Sequence, residues 1–165
     1  MNSVFVQKGF TLIEAVIYVL LFALLIGGTV GAVYNIMEFN NVSHARDMMY
    51  EEGNFLIAKI GWVASEAQSV NSPLSGSPGS SLSVNKLDNP LDTIRVELVD
   101  NNMVVTENSI SQILNNDNVA VSNLVFSYQN TSNYQSVNIK FTLSSKVNNG
   151  TTISNDFETT KYLRN

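Results

Sequence analysis

The sequence predicts an α+β protein: a long N-terminal helix, membrane-spanning in its first half and amphipathic in its second, packed on an antiparallel β-sheet head. Three observations predict it. The 20 residues from Ala15 to Tyr34 contain no charged residue and no His, Gln or Asn, which reads as a membrane span rather than an ordinary core helix. Apolar residues then recur at helical spacing as far as Val70. Beyond a stretch dense in Ser, Pro and Gly, apolar and polar residues alternate with the period of half-buried strands.

Glu14 is the most informative residue near the span, because it places a carboxylate inside the apolar segment that begins at Phe10. A charge at the centre of a spanning helix costs about 2.5 to 3.5 kcal/mol on insertion scales, so such a residue generally has a partner. The segment is not followed by a signal-peptidase pattern of small residues, because Asn35-Ile36-Met37-Glu38-Phe39-Asn40 comes next. The apolar helix is therefore expected to stay in the mature protein. Gly27, Gly28 and Gly31 soften its second half, each by roughly 1 kcal/mol relative to Ala, or let another helix approach closely.

After Tyr34 the apolar positions Val42, Ala45, Met49, Leu56, Ile60, Val63, Ala67 and Val70 form one helical stripe. A helix from Phe10 to Val70 would be about 90 Å long at 1.5 Å per residue. The bilayer core takes about 30 Å of that, and the remainder must pack on something. Trp62, near the stripe, is expected to anchor helix to sheet. Helix cannot continue through the Pro- and Gly-containing run from Asn71 to Ser83. Ile94, Val96 and Leu98 then alternate with polar neighbours, and Asp100-Asn101-Asn102 turns the chain into Met103 to Thr106, a hairpin. Leu124, Phe126 and Tyr128 form a further strand, as do Val137, Ile139, Phe141 and Leu143. A last run, Phe157 to Leu163, is expected to pair at an edge. Strands with one apolar face must bury it, and the helix stripe is the nearest apolar surface.

Composition removes several functions. Nine Lys and Arg against 14 Asp and Glu leave a net charge of −5, which gives no electrostatic footprint for phosphates, so nucleic acid is not expected as a partner. Cysteine is absent, which excludes disulfides, thiolate metal sites and a Cys nucleophile. The 22 Asn and 19 Ser lie nearly all beyond the apolar run, as suits a turn-rich β head. His44 is the lone histidine and is expected on an exposed helix face rather than in a triad. Asp88 to Asp92 and Asn115 to Asn118 offer oxygen ligands without the spacing of a calcium loop, and turns explain them better. No catalytic residue, metal or cofactor is expected, and the chain is not expected to be an enzyme.

Lys8-Gly9-Phe10-Thr11-Leu12-Ile13-Glu14, followed at once by the uncharged run, resembles the N-terminal processing site of the type IV pilin and pseudopilin family. The resemblance implies that a prepilin peptidase cuts after Gly9, that Lys8 supplies the charge of the leader, and that Phe10 becomes the new terminus and is methylated on its α-amino group. It also implies that Glu14 meets the terminal amine of a neighbouring subunit during assembly. Buried ammonium and carboxylate are each expensive alone in hydrocarbon, and as a pair they fix register between subunits more than they add stability. The expected organisation is a leader at 1–9, a transmembrane and filament-core helix at 10–37, its amphipathic continuation at 38–70, a Ser/Pro/Gly-rich loop at 71–92 and a β-sheet head at 93–165.

The family resemblance implies a structural subunit of a type IV pilus or type II secretion-like filament. Its partners would be the peptidase and methylase, other pilin subunits, an inner-membrane assembly platform and lipid. It would sit single-pass in the cytoplasmic membrane, head outside, before joining the filament. Many major pilins have a proline near the position of Gly31, and its absence here favours a minor subunit. The Asn-Ser-Pro loop and the run Val119 to Leu124 look like minor pilins and J-type pseudopilins. The other reading is a membrane-tethered β-domain that binds a ligand and never enters a filament.

Overall fold

The computed structural model describes residues 10–147 and 150–163. The chain divides into two compact units, one ending at Asn41 and the other beginning at Val42. One helix, α1 (Leu12–Ser65), contributes to both. In the first unit it is long and apolar enough to cross a membrane by length and composition, and none of its apolar window is buried.

In the second unit α1 is followed by nine strands: β1 (Ala67–Ser72), β2 (Pro78–Gly79), β3 (Ser81–Lys86), β4 (Thr93–Val99), β5 (Asn102–Glu107), β6 (Ile110–Ile113), β7 (Ala120–Asn130), β8 (Gln135–Lys146) and β9 (Thr152–Tyr162). They form two antiparallel sheets, ordered β1-β3-β4-β5-β6 and β2-β7-β8-β9. The fold is therefore α+β, with helix packed on sheet. Asp100 and Asn101 turn β4 into β5, and Asn108 and Ser109 turn β5 into β6, each pair with φ between 48° and 67°. Positive φ at both central residues matches the right-handed twist of a hairpin, and Asn and Asp tolerate it better than most residues.

Burial explains the sequence pattern. Ala45, Met49, Leu56, Ile60, Val63 and Ala64 are the buried apolar side chains of α1, and Met49, Leu56, Ile60 and Val63 share one core with Leu82, Val84, Ile94 and Val96 of the first sheet and Phe126, Ile139, Phe141 and Leu143 of the second. Gly53 marks a close approach of helix to sheet: a Cβ there would overlap the ring of Phe157. That ring stacks on Phe141 at 5.3 Å and 11°, with Tyr50 edge-on at 6.1 Å. In β7 the pairing register shifts between Ser122 and Val125, where Asn123 has φ 53°. The bulge switches the phase of alternation, so that Val121 and Leu124 both point inward. β9 is the outer strand of its sheet and carries Asp156 and Glu158 on its exposed face.

Several boundaries differ from those expected. The helix ends at Ser65 rather than near Val70, and Ala67–Ser72 pairs with β3 instead. A three-residue step from Ala67 to Val70 looks helical, yet a strand with a register shift between Ala67 and Ser69 also turns both side chains inward. The expected loop at 71–92 contains β2 and β3, so sheet begins well before residue 93. Leu82 and Val84 alternate correctly there and are fully buried, but serine dominates the local composition. β6 was not expected, and all four of its residues are exposed, so no apolar face announces it. Trp62 is not a packing anchor: it is 42% exposed, with Lys59 Nζ 5.7 Å from its ring centroid.

Candidate processing and assembly site

The helix opens at Thr11, whose carbonyl accepts from the amides of Glu14 (3.1 Å) and Ala15 (3.2 Å). Phe10 is 71% exposed. Among the described residues from Phe10 to Asn41, Glu14 alone is partly covered and all others are exposed. Its cover lies one turn to either side, because Phe10, Glu14 and Tyr18 share a face at four-residue spacing. The rings of Phe10 and Tyr18 approach to 5.7 Å at 54°, and the Tyr18 hydroxyl donates to Glu14 Oε1 at 3.5 Å. Lys8 and Gly9, the other expected site residues, lie outside the described residues.

Two other polar side chains of this unit, Thr29 and Asn35, bond to backbone carbonyls of the same helix. Thr29 Oγ1 donates to the carbonyls of Leu25 (3.0 Å) and Ile26 (2.9 Å), and Asn35 Nδ2 donates to that of Gly31 (3.1 Å). In lipid, where no water can take over, such bonds remove the penalty of an unpaired donor.

The head offers no comparable chemistry. Among the described residues no group of three or more His, Asp or Glu gathers closely enough to hold a metal ion. Asn89 and Asn116 stabilise turns through their side-chain Oδ1 atoms, accepting from the amides of Leu91 (3.3 Å) and Asn118 (3.0 Å). His44 is exposed on α1. An open cleft of about 530 Å³ runs past Asp100, Asn101, Asp117, Asn118 and Lys146, and among the described residues no buried side-chain N or O is left without a hydrogen-bond partner.

An exposed apolar helix with one sheltered carboxylate near its start, in a chain that continues into a β domain, fits a membrane anchor by length and composition. Residues 5–30 match the family model of the prokaryotic N-terminal methylation motif, the signature of type IV pilins and pseudopilins. The match takes in Lys8, Gly9, Phe10 and Glu14, and it points to a structural subunit rather than an enzyme. No curated protein and no solved structure matches the chain significantly.

Sequence reasoning singled out Glu14 but missed Tyr18, although the four-residue spacing on a helix carried the signal. It missed Asn115 and Glu52, which organise the head. Asn115 is buried, accepts from the Met103 amide (2.8 Å) and donates to the Val119 carbonyl (2.8 Å). Nothing distinguishes it in sequence from its Asn neighbours.

Proposed function

We propose that this chain is a structural subunit, cleaved after Gly9 and methylated on the α-amine of Phe10. It then assembles through its N-terminal helix into a type IV pilus or type II secretion-like filament. The observation that carries the reading is the methylation motif at residues 5–30, joined directly to a helix whose apolar residues are uncovered. An uncovered apolar helix needs lipid first and other helices later, and a filament core provides the second. Prepilin peptidase, the methylase, other pilins and an inner-membrane assembly platform are its partners, and the head lies outside the cytoplasmic membrane. The absence of proline near Gly31 favours a minor subunit that primes or caps the fibre.

Glu14 pairs with the terminal amine of an adjoining subunit. Mass spectrometry of the purified protein should find a chain that starts at methylated Phe10; an intact Met1 in a host with active peptidase would leave only a tethered head. Glu14→Ala should insert into membrane as well as the parent or better, yet fail to enter filaments. Normal incorporation of that variant would remove the pairing from the mechanism.

A further inference from the structure

We infer that the Tyr18 hydroxyl is the intrahelical donor that holds one oxygen of Glu14 within the bilayer, leaving the other oxygen open for an amine from outside the chain. Tyr18 would then be a positioning residue for assembly, and this role rests on the reading given under Proposed function.

Three observations converge on it. Tyr18 stands one turn after Glu14, and its hydroxyl donates to Oε1 at 3.5 Å. The Phe10 ring leans on the Tyr18 ring from the turn before Glu14. Glu14 is the one partly covered residue of the described first unit. The chemistry explains why the two belong together. A carboxylate in hydrocarbon needs donors, and a phenol there needs an acceptor. Thr29 solves its own problem with backbone carbonyls one turn back. A tyrosine hydroxyl stands at the far end of its ring and cannot reach its own backbone, so it depends on a side chain one turn away. Glu14 is that side chain.

A carboxylate has two oxygens and about four acceptor positions. With Oε1 engaged by Tyr18, the group is held in one rotamer against the helix. An ammonium arriving from a neighbour therefore meets an oriented Oε2, and the two donors do not compete.

Infrared spectroscopy of the full chain, carboxyl-labelled at glutamate and reconstituted in phosphatidylethanolamine and phosphatidylglycerol vesicles, tests this without any filament. Subtracting the Glu14→Gln spectrum isolates the Glu14 carboxyl band. Tyr18→Phe keeps the ring and its contact with Phe10 but removes the donor, and should shift that band to the position of a carboxyl group lacking this hydrogen bond. Reciprocally, Glu14→Gln should shift the Tyr18 phenolic band, itself identified by subtracting the Tyr18→Phe spectrum. A Glu14 band that is the same in Tyr18→Phe and the parent overturns the inference. Filament incorporation of Glu14→Ala is scored separately, so failure of the assembly reading would be recognised as such.

Discussion

The Glu52 carboxylate accepts two hydrogen bonds from Asn116, one from its backbone amide at 2.9 Å and one from Nδ2 at 3.0 Å. The two residues are 64 positions apart, so the pair ties the amphipathic part of α1 to the loop before β7. Glu52→Ala should destabilise the head by about 1–2 kcal/mol, two hydrogen bonds to a charged group weakened by their exposure to solvent. Urea unfolding of the full chain in detergent, followed by a head-specific probe, checks this.

Gly53 sits beside that clamp with the Phe157 ring where a side chain would go. Gly53→Ala gains helix propensity of about 1 kcal/mol but forces the ring aside in a stack with Phe141, at an overpacking cost of about 1–3 kcal/mol. The net effect should be destabilising. Placed in a Phe157→Ala background, the same change should become neutral or stabilising. A double-mutant cycle by urea midpoint measures the coupling.

Asn115 joins three pieces of backbone through one side chain. Asn115→Ala strands the Met103 amide and the Val119 carbonyl in a buried place and should cost about 1–3 kcal/mol. Thermal unfolding monitored by near-ultraviolet circular dichroism reads it. Asn118→Ala, an exposed neighbour in the same run, should lie within about 0.5 kcal/mol of the parent.

Alkaline pH should weaken the head. The Glu107 carboxylate, 2.6 Å from Lys86 Nζ, holds the Lys86 ammonium above its ordinary range mainly through their hydrogen bond. Burial raises the Tyr128 phenol, whose hydroxyl donates to Gln135 Oε1 at 3.0 Å. Both groups keep their protons more tightly when folded than when unfolded. Their contribution is complete below the unfolded values, about 10 for each type, and is lost as pH rises through the folded ones. Urea midpoints should fall as pH rises above about 10, and less steeply in Lys86→Met.

Much of this architecture was legible because periodicity reports burial. The stripe from Ala45 to Val63, the β4–β5 hairpin and the strands at Phe126 and Ile139 all follow from it. What escaped did so for physical reasons. The register shift in β1 gave strand residues a helical spacing, and β3 hid two buried residues among serines. β6 has no buried face to read. At the candidate site the motif exposed Glu14, whereas the Tyr18 contact depends on side-chain geometry that spacing permits without requiring.

The outer strand of the second sheet has a consequence for self-association. Among the described residues no strand pairs on the far side of β9, and an edge of 11 residues invites sheet-to-sheet fusion. If two such strands aligned antiparallel about Phe157, Asp156 of one would face Glu158 of the other. Like charges opposite one another repel, so this pairing of two β9 edges is disfavoured.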